Sequence, residues 1–351
     1  MRVAFVAANT VHHRDTDFTA RMRRLAELLV DRGHEVRVFC SQWWEGRPTE
    51  FEHEGVRYHA VIDDVEGPDW RFVTGAPGPI RRFDPDVIHG MNTMSRDIFG
   101  AWLGSMYSRT PFLLEWYDPN PALQWSPRMR RLSVTVPHHI VVPAHTIQTR
   151  VRELGRDPAD IEVIPTGIEL DLIRSVEPAN GTDIVYSRAL DEAANLESLL
   201  LALAELRDHD WDVAVIGDGP QRRHYERQTR DLRIADRIEF VGECSLEERI
   251  ARFKASHVYV QTALQASFPV DLLRALASGC LGIVEYHAES SAHEFVEQRS
   301  RGFLTTSEAE LTQALRDAGS YDHREFDGSY TEYDQTRILE RYLDRYEALQ
   351  R

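Results

Sequence analysis

Lysine is almost missing from this chain. Lys254 is the only one, so 40 of the 41 basic residues are arginine. Basic charge is also outnumbered: 57 acidic residues bring the formal net charge to −16. That leaves no basic footprint of the kind nucleic-acid binding requires, and this class of partner is excluded. An acidic, lysine-poor surface suits a salt-rich cytoplasm, where dense carboxylates keep chains soluble. A codon bias toward arginine explains the missing lysines equally well. Cysteine is scarce too. Cys40, Cys244 and Cys280 lie far apart without a C-x-x-C pair and read as reduced, partly buried thiols rather than disulfides. No apolar run approaches the roughly 20 residues needed to cross a bilayer; LLLALAEL (199–206) is among the strongest. The opening MRVAFVAANT lacks the long apolar core of a signal peptide and reads as a first strand. The expected location is cytoplasmic, with peripheral contact at the inner face of the membrane left open.

What is present reads as α/β. The 351 residues, 42% of them apolar, suffice for two domains with separate cores. RVAFVA (2–7) is a short apolar run of the buried-strand kind, followed by a helix with Phe18, Met22, Leu25 and Leu29 on one stripe. Gly33 ends that helix and EVRVFC (35–40) is the next strand. Further strands are expected at 55–62, 84–90, 111–118 and 138–143, with helices near 96–108 and 144–154. Arg174 to Asp183, polar with Pro178 and Asn180-Gly181, reads as a linker. Strands then recur at 183–186, 212–216, 237–241, 257–261 and 281–285, each followed by helical periodicity. A last apolar stripe runs from Ile338 to Leu349.

Four stretches carry chemistry. Arg188 follows the strand DIVYS and precedes a helix at Asn195, and a guanidinium there is suited to a diphosphate by its bidentate fork. Gly217-Asp218-Gly219-Pro220 closes VAVI with glycines that permit close approach and a proline suited to a first helical turn; a plain tight turn explains it nearly as well. FVGE (240–243) ends another strand, and Ser267-Phe268-Pro269 lies between the strand at 257–261 and a helix closing on Ser278-Gly279. Strand ends that deliver a helix N-terminus favour anions.

In order and spacing, these stretches and IPTGIELD (164–171) resemble the retaining GT-B glycosyltransferases, the family 4-like group 1 enzymes, over nearly the whole chain. The resemblance implies two Rossmann-like domains facing a central cleft: 1–170 on the acceptor side, 171–330 for the nucleotide sugar, and a helix in 331–351 crossing back to the first. It implies a donor site of Arg188, Asn195, the 217–220 turn, Val241 and Gly242 by the base, and Ser267, Phe268 and Pro269 over the sugar and phosphates; Phe268 reads equally as core. The family's paired glutamates fall at Ala266 and Arg274, and its lysine near Ala194. Arg274 replacing the lysine at a phosphate, and Asp271 addressing the ribose, are the conceivable compensations. On the acceptor side, Asn9 to Asp15 replaces a Gly-Gly loop, bringing His12 and His13 to the cleft. These adjacent histidines lack the separated ligands of a metal site, and no metal or cofactor is expected beyond the nucleotide-sugar co-substrate. His89 ends DVIH and competes between proton handler and structural histidine. Asp118, with Tyr117 in place of the family's histidine, either orients an acceptor hydroxyl or caps a helix. The expected function is transfer of a hexose-type sugar to a glycan or lipid-linked acceptor with retention. The alternative is an inactive GT-B module that binds a glycan or steadies a partner.

Overall fold

The computed structural model describes residues 1–46, 48–63, 69–117 and 126–351. They form two compact units, Met1–Thr166 with Thr336–Arg351, and Gly167–Gln335. The chain thus passes from the first to the second at 166/167, a few residues before the expected 170/171, and returns at 335/336 rather than 330/331.

The first unit runs β1 (Arg2–Val6), α1 (Asp17–Asp31), β2 (Glu35–Ser41), β3 (Glu50–His53), β4 (Val56–Ile62), α2 (Asp69–Gly75), α3 (Pro77–Phe83), β5 (Val87–Met91), α4 (Ser95–Ser108), β6 (Phe112–Glu115), α5 (Pro127–Thr135), β7 (His139–Val142), α6 (His145–Glu153) and β8 (Ile161–Val163). Its sheet order is β3-β4-β2-β1-β5-β6-β7-β8, parallel except for the β3–β4 pair. Val3, Phe5 and Ala7 join one core cluster while Ala4, Val6 and Ala8 join another. That period of two, apolar on both faces, is the signature of a parallel strand covered on each side. Helix α1 starts at a capping box between Thr16 and Thr19 and buries Phe18, Met22, Leu25 and Leu29. The terminal helix, Gln335–Gln350, places Ile338, Leu339, Tyr342 and Tyr346 in the same core as β1 and α1.

The second unit runs α7 (Leu170–Ser175), β9 (Ile184–Ser187), α8 (Leu196–Ala204), β10 (Val213–Ile216), α9 (Arg222–Asp231), β11 (Ile238–Gly242), α10 (Leu246–Ala255), β12 (Val258–Gln261), β13 (Gln265–Ala266), α11 (Val270–Ala277), β14 (Leu281–Glu285), β15 (Glu289–Ser290), β16 (Gly302–Thr305) and α12 (Glu308–Ala318). Six strands form one sheet, β11-β10-β9-β12-β14-β16, parallel throughout. The stretch read as a linker is not one. Arg174 belongs to α7, and the residues after it pack on α10: Lys254 donates to the Val176 carbonyl at 2.6 Å and the Ala179 amide to the Ala251 carbonyl at 3.0 Å. The sole lysine is therefore a buried hydrogen-bond donor.

Candidate functional site

In the second unit, β10 and β11 extend the sheet to one side of β9 while β12, β14 and β16 extend it to the other. The order reverses between β9 and β12, and the crevice outside the carboxyl ends of two such strands is where open α/β sheets take ligands. Arg188, the residue after β9, reaches across this switch point. Its Nη1 donates to the Gln265 carbonyl at 2.8 Å, in the segment following β12. Nη2 lies 3.9 Å from Asp191, the side chain is 20% exposed, and the buried Nε has no partner. Asn195, in the left-handed region at φ 50°, donates from Nδ2 to the Thr262 carbonyl at 2.9 Å. Ser267 is buried with an unpartnered Oγ. The structure thus brings Arg188, Asn195 and Ser267 to one pair of strand ends.

The 217–220 turn sits beside them for a different reason than ligand approach. The Arg188 amide donates to Ile216, the Leu190 amide to Asp218 and the Gln221 amide to Leu190. A β-carbon on Gly217 would collide with the Arg188 carbonyl, and one on Gly219 would lie 2.5 Å from the Leu190 carbonyl oxygen. Both glycines are required by backbone packed on backbone. Asp218 is held by Arg222 at 3.0 Å, and its pKa is lowered first by the Gly219 amide and then by that arginine. Pro220 is exposed and Val241 half-buried, while the Gly242 carbonyl accepts from the Gly217 amide at 2.8 Å. Phe268 resolves as core: it is 2% exposed, with its ring edge-on to Phe295 at 5.0 Å. Pro269 is buried at the start of α11.

Neither compensation expected for the missing lysine and glutamates has free capacity. Arg274 grips Glu169 with Nε and Nη2, both at 3.0 Å, and Asp271 with Nη1 at 3.1 Å. Burial would lower its pKa, but Glu169 and Asp271 outweigh burial and raise it. Asp271 also accepts from the Ser187 hydroxyl at 2.6 Å and from Arg249 at 2.9 Å. With both oxygens engaged, it is a poor candidate for a ribose, and Arg274 a poor one for a phosphate. Arg249 was not legible as a partner, because it stands 22 residues from Asp271 and no local period links them.

In the first unit the order reverses between β1 and β5. Asn92, after β5, is 1% exposed; its oxygen accepts from the Tyr117 amide at 2.8 Å and its Nδ2 is unpartnered. Tyr117 stacks on Phe18 at 4.8 Å between centroids. His12 stacks on Trp43 at 3.7 Å, and Nδ1 of His13 accepts from the Thr10 amide at 3.1 Å. Burial lowers the pKa of both histidines. Among the described residues no group of three or more His, Cys, Asp or Glu is arranged to hold a metal ion. Asp118 lies outside the described residues.

His89 is fully buried, and the structural reading prevails over that of proton handler. Its Nε2 is 3.0 Å from Glu115 and its Nδ1 2.6 Å from the Tyr346 hydroxyl. Arg21 completes the cluster, pairing with Glu115 through Nε and donating to Thr166 at 2.5 Å, Ile164 at 2.8 Å and Tyr342 at 2.5 Å. Burial alone would raise the Glu115 carboxyl, but Arg21 and His89 outweigh it and bring it down to about 2.

Residues 19–172 match the model of Glycosyltransferase Family 4, and residues 170–322 that of Glycosyl transferases group 1. A GDP-mannose-dependent alpha-mannosyltransferase of Mycolicibacterium smegmatis is 25% identical over 303 residues, 80% of this chain and 78% of its own. Among solved structures, a glycosyltransferase from Rickettsia africae has a TM-score of 0.79 at 14% identity, with 99% of this chain and 98% of that one covered. Anabaena HepE in complex with UDP and glucose has a TM-score of 0.76 at 14% identity, covering 99% of this chain and all of its own. At such identities the solved structures show a shared GT-B fold.

Proposed function

The chain belongs to the family 4, group 1 glycosyltransferases, and from that premise we propose that it moves a hexose-type sugar from a nucleotide-diphosphate donor to a glycan or lipid-linked acceptor with retention. The bond that breaks joins the anomeric carbon to the diphosphate. The bond that forms joins that carbon to an acceptor oxygen on the same face. The acceptor proton leaves on the departing phosphate, so alignment and charge stabilisation replace a strong protein base. Arg188 meets the diphosphate charge, and no metal ion is called for. Backbone groups at Val241 and Gly242 address the base. The proposed reaction runs in the cytosol, at the inner membrane face where the acceptor is lipid-linked. Among the described residues no helix is long and apolar enough to cross a membrane.

One observation carries this reading. The Arg188 guanidinium spans the ends of β9 and β12 with a buried nitrogen still unpartnered, and a charged donor left unsatisfied there is stabilised by a bound anion. The reading as an inactive module finds no support, since the relative matched over 303 residues is a mannosyltransferase. Calorimetry against UDP-, GDP- and TDP-sugars tests the proposal. At least one donor binds the natural protein, and Arg188→Ala weakens it about a hundredfold. A protein that binds none of them does not transfer sugar by this route.

A further inference from the structure

The segments following β9, β12 and β14 are hydrogen-bonded into one rim. The Leu264 amide donates to Ala193 at 3.0 Å, and the Thr262 hydroxyl to Asn195 at 2.6 Å. The Ser291 amide donates to Ala266 at 2.8 Å, and Gln265–Ala266 pairs with Glu289–Ser290. Glu285, the last residue of β14, sits on this rim with its side chain 14% exposed. Its Oε2 is 3.3 Å from Nδ2 of Asn195, the amide that also bridges to β12, and 3.7 Å from Nε2 of His287.

Other carboxylates as enclosed as this one are consumed. Glu169 and Asp271 are 14% and 13% exposed, and both are held by guanidinium groups. Glu285 meets an amide and an imidazole instead, and among the described residues its contacts all go to one oxygen. The buried Nε2 of His287 has no hydrogen-bond partner. A carboxylate with an unspent oxygen is a strong acceptor for neutral hydroxyl donors. Arg188 reaches over the same rim at Gln265, so the rim offers a cation for phosphate and an anion for hydroxyls. Ala266, paired to the same turn, offers no side-chain acceptor.

We propose that Glu285 binds hydroxyl groups of the donor's sugar ring, with His287 as the positioning residue that orients its carboxylate. The proposal rests on the reading of Arg188 as the diphosphate clamp and adds what distinguishes a sugar nucleotide from the bare nucleotide. Affinities for UDP, GDP, TDP, UDP-glucose, GDP-mannose and TDP-glucose are measured on the natural protein, Glu285→Gln and Glu285→Ala, with melting curves for each. For whichever base binds, the sugar nucleotide weakens at least about tenfold in Glu285→Ala and less in Glu285→Gln, while the bare diphosphate changes by under about twofold. His287→Ala shifts the sugar nucleotide in the same direction by a smaller factor. If sugar nucleotide and bare nucleotide weaken together, or neither weakens, Glu285 only braces the rim and the proposal falls. Should Glu285→Ala fail to fold, Glu285→Gln still decides. If the natural protein binds none of these, the Arg188 reading falls, and this one with it.

Discussion

Arg21 in the first unit and Arg188 in the second are both enclosed, at 5% and 20% side-chain exposure, but their nitrogens are used differently. Every nitrogen of Arg21 has a partner within its own unit: Glu115, Thr166, Ile164 and Tyr342. Arg188 spends one on a carbonyl, keeps one within 3.9 Å of a carboxylate and leaves its Nε unused. A closed set of charges holds an architecture in place. An open one keeps capacity for a ligand. Arg274 shows that occupation, not position in the sequence, decides this: it falls where the resemblance to the family would put a glutamate, and its three nitrogens are all engaged.

Breaking the closed set has the largest expected effect. Arg21→Met strands the Glu115 carboxylate in the core and lowers unfolding free energy by about 3–5 kcal/mol, measured by denaturant titration; a loss under about 1 kcal/mol would contradict the closed network. The same pair sets an acid limb. Because the folded Glu115 pKa is depressed to about 2, its stabilisation is complete above its unfolded value near 4.3 and is lost as pH falls from there toward 2. Unfolding curves across that window are flatter in Glu115→Gln than in the natural protein; equal slopes would remove Glu115 as the source.

Removing the engaged guanidinium of the second unit comes next. Arg274→Met leaves Glu169 without its bidentate partner and costs about 1–3 kcal/mol, yet donor affinity stays within about threefold, because the fork already has its partners. Loss of donor affinity without loss of stability would return Arg274 to the binding site. Arg188→Lys keeps the charge but not the planar fork and weakens donor about tenfold, with the melting temperature unchanged. An exposed pair such as Arg57 and Glu52, at 3.3 Å, marks the low end: Arg57→Ala moves stability by under about 0.5 kcal/mol.

Much of the architecture was readable from single stretches. VAVI, IVYS and FLLE appear as short apolar runs because a parallel strand is covered on both faces. The stripe of α1 and the stripe of the terminal helix were equally clear. Helices α2, α3 and α5 and strands β3 and β16 escaped because they are short or mostly exposed, so their apolar periodicity is weak. The polar run after Arg174 misled for the opposite reason. Its Asn-Gly and proline are turn chemistry, but Gly181 sits so close to the Ala255 carbonyl that a β-carbon would lie 2.6 Å from it.

At the site, Arg188 and the 217–220 turn stood out as strand-end residues, whereas Glu285 and His287 carried no signal. Glycine spacing marks a close approach without saying what approaches, and here it is the 188–190 backbone. Local chemistry, with periods of 2 and 3.6 residues and turn residues at strand ends, was enough to specify two parallel α/β units and the ends at which chemistry could occur. Which charges are spent and which stay available was settled only on folding. Arg21 meets Tyr342 across 321 positions, Arg274 meets Glu169 across 105 and Arg188 meets Gln265 across 77. Hydrogen bonds depend on ångströms in space, and no period in the chain encodes separations of that length.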